Sequence, residues 1–416
     1  MPLQSRILDK STCGARPTTV ETLLDDVRTL LPGIAADAGE AERQRKPIDH
    51  HMQAIADTGI YRFFVPRRYG GAEYPLTSFI DVGLLLGEAC TSTAWVTTFC
   101  MEHNWMLAQF PIETQDELFS ASPWIIAPGV ISPNGRAYAH QEAHQEAHQA
   151  AHQAAHQDGY LLTGRWQWGT GVMHADWALL SGFVEETREV RLFAVPIEQV
   201  EIIDTWNPDG MAATGSNDMQ VKNVFVPARF SQAVSAMTIG RGVGALVHQT
   251  PMFRMPMMPI LYLAAGAPAL GAARGMLNRF IARAPSRTKF GSRAAQSESI
   301  LTQVRAGEAT ATLEAAEMIM RGVARETMEW GERDDVCPLV ERVRHRLLMA
   351  HAVRMARDVV RDLFEASGAN AHHMSEPMQR IHRDVHTIAA HTVFDMEIIA
   401  EQAGRIALGM DPTIPL

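Results

Sequence analysis

Arg383-Asp384, followed by Ile388-Ala389-Ala390-His391-Thr392, is the stretch on which the reading of this chain turns. From Thr387 to Leu408 the pattern is helical and stops before Gly409, whose missing side chain suits a helix end. His391 stands beside Ala389 and Ala390, with Asp395 one turn further on. On a helix that spacing lets the carboxylate orient the imidazole and raise its basicity. Imidazole exchanges protons near neutrality because its unperturbed pKa is about 6.5. His372, His373, His382 and His386 lie close by and are read as structural.

Around this stretch, 416 residues leave room for two or three domains, and 46% hydrophobic with 20% charged residues is ordinary for a globular protein. The N-terminus lacks an apolar core of signal-peptide length, and no uninterrupted apolar run reaches the roughly 18 residues of a membrane span. A cytoplasmic protein with no membrane partner is expected. Cys13, Cys90, Cys100 and Cys337 form no CxxC pair, which argues against a disulfide framework and a zinc site, and no metal is expected. The net charge of −10 is uneven: residues 219–297 contain no Asp or Glu and carry +10, from Lys222, Arg229, Arg241, Arg254, Arg274, Arg279, Arg283, Arg287, Lys289 and Arg293. The acidic remainder repels nucleic acid, while the basic segment either holds a compact anion such as a phosphate or pairs with acids elsewhere.

Three compositional zones follow one another. A helical zone occupies residues 1–115; Val20 to Leu31 has apolar residues at i, i+3, i+4 and i+7, and Pro32-Gly33 closes the run. Residues 116–230 form a β zone, with strand-like runs at Tyr160–Trp168, Trp177–Val184, Val190–Pro196, Val200–Trp206 and Asp218–Val226 between turn clusters. Residues 231–416 return to long helices suited to a bundle; one carries Leu348, Ala352, Met355, Val359 and Leu363 on a single face. Within the β zone, residues 139–157 repeat AHQE or AHQA, with His140, His144, His148, His152 and His156 four apart. On a helix that spacing drifts by about 40° per step, so neighbouring pairs could chelate a metal but five could not share one. The plainer reading is an expanded, exposed loop.

Helical domain, β domain and helical bundle follow the order of the acyl-CoA dehydrogenase superfamily, and the chain resembles it over nearly its whole length. The resemblance implies a mainly α fold with a central β-barrel or sandwich and a C-terminal four-helix bundle. In the dehydrogenases an Arg-Asp pair is followed by Ile-x-Glu-Gly-Thr, which bears the catalytic glutamate. Here Ala390 takes the glutamate's place and His391 the glycine's. The family's other location for the base corresponds to PMMPILYLAAGAPALGAARG, inside the acid-free segment. With both places empty, the chain resembles the flavin-dependent monooxygenase branch, the oxygenase components of two-component systems.

That resemblance implies roles residue by residue. Trp168, Gly169, Thr170 and Gly171 match the element that lays an aromatic side chain against the isoalloxazine and points a hydroxyl at flavin N5. Arg287 and Phe290, in Arg-Thr-Lys-Phe-Gly, match a motif whose arginine reaches the phosphate of a flavin held mainly by a neighbouring subunit. Ser367 and Gly368 resemble a turn whose backbone amides approach the phosphate end. His103 follows Ser92-Thr-Ala-Trp95, similar to a block of the hydroxylase branch in which a later histidine faces the substrate; read alone, it is a histidine on a mostly apolar helix. Met252, Phe253, Met255, Met257 and Met258 line either a pocket or plain core. The implied chemistry is hydroxylation of a small aromatic substrate, a phenol or indole, through a C4a-hydroperoxide formed from O2 and reduced FMN or FAD, with His391, His103 and Thr170 catalytic. A separate NAD(P)H-dependent flavin reductase and a homotetramer are implied as well. The alternative is an acyl-CoA dehydrogenase or oxidase with a displaced base.

Overall fold

The computed structural model describes residues 3–11, 19–142, 157–288, 291 and 293–413. It opens with helices α1 (Val20–Gln44), α2 (Asp49–Asp57), α3 (Leu76–Ala89), α4 (Thr91–Leu107) and α5 (Ile112–Ala121). Strands β1 (Gly129–Glu142), β2 (Gln157–Trp166), β3 (Trp177–Val184), β4 (Val190–Pro196), β5 (Glu201–Ile203), β6 (Asp218–Pro227) and β7 (Ser231–Ala233) follow. Then come the short α6 (Val234–Thr238) and the long α7 (Met257–Arg283), α8 (Ile300–Arg333) and α9 (Leu339–Ala366), with α10 (Pro377–Ala389) and α11 (Met396–Ala407) last. The expected boundary at residue 115 falls inside α5, and β7 extends the sheet past residue 230.

Helix α1 runs through Pro32 to Gln44 instead of closing there. Proline removes one backbone donor, and the buried stripe of Leu23, Val27, Ile34, Ala38 and Ala41 outweighs that loss. The strands form one seven-stranded sheet in the order β5-β6-β2-β1-β3-β4-β7. Among the described residues β1 and β3 run parallel, and the other strand pairs are antiparallel. β1 and β2 pair from Gly135–Gly164 to Glu142–Gln157, so the first residues of the histidine repeat are strand. Residues 143–156, and with them His144, His148, His152 and His156, lie outside the described residues.

α4 and α7 make the centre. Every residue of α4 is buried, and α7 has the length and apolar composition of a membrane span, with 94% of that window buried inside the protein. An apolar-all-round helix of this kind is a core element. Small residues let α3 and α7 approach closely: a Cβ added at Gly83 would overlap Ala267, and one at Gly271 would overlap the backbone of Leu84. On α9 the buried stripe includes Ala352, Val359 and Leu363 as expected, but it is centred on Met349, Val353, Ala356 and Val360, with Leu348 and Met355 half-buried at its edge. The helix expected over Thr387–Leu408 is two: α10 ends at Ala389, a short 3₁₀ turn spans Thr392–Phe394, and α11 starts at Met396.

Candidate active site

The break after α10 decides how His391 is held. Its Nδ1 accepts the Val393 amide at 3.3 Å, which leaves the proton on Nε2. Asp395 does not orient the ring as its spacing suggested; its carboxylate caps α11, accepting from the amides of Glu397 and Ile398. The chain has turned between the two residues, so the helical i, i+4 relation does not apply. Burial, with a smaller push from Arg346, lowers the His391 pKa to about 4, opposite to the expected direction. Arg346 on α9 clamps this turn by donating to the carbonyls of Val393 and Thr392 at 3.0 and 2.7 Å.

The His391 ring lies edge-on to Trp95, centroids 5.8 Å apart. Trp95 touches Phe99 at 4.7 Å, and Phe99 touches His103 at 5.8 Å, so α4 presents Trp95, Phe99 and His103 in one i, i+4, i+8 row. His103 is only 1% exposed, and burial lowers its pKa to about 4. Its neighbour Glu102 is completely buried, and the closest approach of the two, 3.5 Å from Nε2, is not a hydrogen bond. Both Glu102 oxygens and His103 Nδ1 have no hydrogen-bond partner among the described residues, and burial pushes the Glu102 pKa well up, favouring the neutral acid.

Trp95 also reaches the β domain, its indole N–H donating to Thr170 Oγ1 at 3.2 Å. Thr170 sits 3.0 Å from Ser216 Oγ, Ser216 donates to Thr214 Oγ1 at 2.8 Å, and Thr214 donates to the Met211 carbonyl at 2.9 Å. The Met211 amide donates to Asp384 at 2.6 Å, while Arg383 donates to the Asp209 carbonyl. The Arg383-Asp384 pair therefore clasps the β5–β6 loop onto α10. Trp95, on α4, touches both Thr170 and His391. The turn around Thr170 is strained: Trp168 before it has φ 65° and is 59% exposed, and Gly171 after it, at φ 89°, has no room for a Cβ beside Cys100. Gly169 donates to the Asn217 carbonyl at 3.0 Å.

Arg287, Ser367 and Gly368 form a second group. Arg287 Nη1 donates to Gln296 at 3.0 Å and to the Ala366 carbonyl at 2.8 Å, and a Cβ on Gly368 would overlap its Nη2. Gly368, at φ 70° and ψ −178°, occupies backbone space open essentially to glycine alone. The Ser367 and Gly368 amides do not point outward as a phosphate cradle; they close α9 on the carbonyls of Phe364 and Glu365. The Ser367 hydroxyl likewise donates to Leu363 O. Phe290 lies outside the described residues. Elsewhere in the acid-free segment, Lys222, Arg229, Arg241, Arg254 and Arg274 pair with Glu201, Glu117, Asp334, Asp334 and Glu317. Arg287 is held by neutral acceptors instead.

These residues fit a flavin: an exposed aromatic on a strained turn, a buried hydroxyl chain ending at Thr170, and a guanidinium held by neutral groups. The Met252–Met258 stretch is mostly core, with Met252, Phe253, Met255 and Met257 buried. A surface hollow of about 690 Å³ lies among Arg6, Asp49, His50 and Asp57, and none of the expected site residues lines it. Trp95, Ser216 and Thr214 were not assigned roles from sequence; Trp95 alone was signalled, by the Ser92–Trp95 block.

Residues 263–396 match the acyl-CoA dehydrogenase C-terminal domain. A pigment production hydroxylase of Rhodococcus sp. (strain ATCC 21145) is 30% identical over 95% of this chain and 98% of its own. The chain belongs to the flavin-dependent monooxygenase oxygenase components built on the acyl-CoA dehydrogenase fold. Another member, the oxygenase component of p-hydroxyphenylacetate 3-hydroxylase from Acinetobacter baumannii, is 27% identical over 94% of this chain and 90% of that one. The structure of XiaF from Streptomyces sp., in complex with FADH2 and glycerol, superposes with a TM-score of 0.84 at 26% identity over 95% of this chain and 97% of that one. The chain is thus an oxidoreductase of the monooxygenase type, with reduced flavin and oxygen as cosubstrates. The dehydrogenase alternative is not favoured.

Proposed function

We propose that this oxygenase component hydroxylates a small aromatic compound, a phenol or an indole, with reduced FMN or FAD delivered by a separate NAD(P)H-dependent reductase. The observation that carries the reading is His391 as a neutral imidazole beside Ala390, edge-on to Trp95, where a dehydrogenase would need a carboxylate. The flavin supplies oxygen activation. Neutral His391 takes the proton from a phenolic hydroxyl or an indole N–H, which pushes electron density into the ring that receives oxygen. Thr170 holds the hydrogen on N5, and Trp168, Gly169 and Gly171 shape the edge where the ring system rests. His103, in the same row on α4, assists from the substrate side. Arg287 binds phosphate through its planar fork of donors, with Ser367 and Gly368 setting its position. The buried apolar rows of α4 and α7 exclude water. Homotetramer assembly, by which Arg287 serves a neighbouring subunit's flavin, and a cytoplasmic location belong to the same proposal.

Anaerobic addition of acyl-CoA to the protein with oxidised flavin tests this reading against dehydrogenation. The flavin spectrum is expected to persist. Bleaching would contradict the proposal.

A further inference from the structure

The hydroxyls behind Thr170 have only one consistent direction as the structure stands. The Met211 carbonyl can only accept, so the Thr214 proton goes to it. Thr214 then has no proton for Ser216, so Ser216 donates to Thr214. The Ser216 proton is spent in turn, so Thr170 is the donor across the 3.0 Å contact between them. The Trp95 indole N–H can only donate, and it donates to Thr170. Thr170 is left with no proton to offer and one lone pair. All three hydroxyl residues are buried, at 8%, 1% and 2% exposure for Thr170, Thr214 and Ser216, so bulk water does not easily reset the chain.

We propose that Ser216 and Thr214 are positioning residues that make Thr170 a hydrogen-bond acceptor, so that the site selects reduced flavin over oxidised flavin. This rests on the reading that Thr170 faces N5. Reduced flavin carries a hydrogen on N5 and finds the lone pair it needs. Oxidised flavin presents a lone pair at N5, which the Thr170 lone pair opposes. To donate to the N5 of oxidised flavin, Thr170 must turn its proton away from Ser216 and give up that 3.0 Å bond, whereas reduced flavin costs the chain nothing. The arrangement suits a protein that receives flavin already reduced and must let it go once oxidised.

Dissociation constants of reduced and oxidised FMN, and of the FAD pair, measured anaerobically on the full chain, test this without any turnover. In Ser216→Ala, Thr170 loses the acceptor of its proton and is able to donate to N5. Oxidised flavin should then bind more tightly and the oxidised-to-reduced ratio of constants should fall roughly three- to tenfold, the worth of one hydrogen bond. A tenfold fall corresponds to a bound-flavin potential about 30 mV lower. Thr214→Val, which removes the end of the chain while keeping the volume, should shift the ratio the same way and serves if Ser216→Ala does not fold. Thr170→Val separates this inference from the reading beneath it. If Thr170→Val abolishes the preference while Ser216→Ala and Thr214→Val keep the wild-type ratio, the directed chain is refuted and Thr170 still faces N5. If Thr170→Val changes nothing, both ideas fall.

Discussion

At His391 the Val393 amide occupies Nδ1, and burial holds the imidazole neutral down to a pKa of about 4. A neutral imidazole can take a substrate proton, so His391→Ala should lower the rate of hydroxylation by about 10²- to 10⁴-fold, and product formed per reduced flavin with it, while flavin affinity stays near wild type. Normal product yield in that variant would remove His391 from the mechanism. The acid limb of the yield should fall near pH 4, well below the about 6.5 of a free imidazole. Arg346→Met, which removes the neighbouring positive charge, should move that limb upward. At this scale the sequence showed the imidazole and the missing carboxylates. It could not show that Asp395 had been taken for a helix cap, because that depends on a turn at residues 390–395 within an otherwise helical pattern.

At the scale of elements, the Arg383-Asp384 clasp couples α10 to the β5–β6 loop. Burial raises the Asp384 pKa to about 6, above its ordinary 3.8. A group raised in the folded state stabilises it below the unfolded value, and that contribution is lost as pH climbs from about 4 through 6. Asp384→Asn keeps an acceptor for the Met211 amide and removes the charge, so its melting temperature should gain on wild type between pH 4 and pH 7. Equal pH dependence in both proteins would show that Asp384 does not titrate in this window. Asp384→Ala leaves the Met211 amide without its acceptor and should cost about 1–3 kcal/mol in thermal unfolding. The clasp explains why an arginine and an aspartate stand side by side here, a fact the sequence displayed and long-range contact alone interprets. The Thr214–Ser216 chain was hidden for the same reason: small hydroxyl residues in a loop carry no pattern until their partners are known.

For the whole molecule, the order of helical domain, sheet and bundle was legible, because zones of differing period persist over many residues. Exact element ends were less so, since α1 tolerates Pro32 and α5 crosses the expected boundary. The phosphate group is predicted to act across subunits. Arg287→Ala should weaken flavin binding by about 10- to 100-fold, the range of a charge-assisted hydrogen bond, with the melting curve little changed. An unchanged flavin affinity would place the phosphate elsewhere. Replacing residues 143–156 by a short turn should leave assembly and melting temperature near wild type, because β1 and β2 pair on both sides of that segment. A collapse of either would give the histidine repeat a structural role. The most direct test of the central claim is single turnover of the protein with reduced FMN or FAD and ¹⁸O2 over a panel of phenols and indoles, read by mass spectrometry. One labelled oxygen atom in the ring of a product is the result expected; unlabelled substrates throughout, with all the oxygen recovered as peroxide, would contradict it.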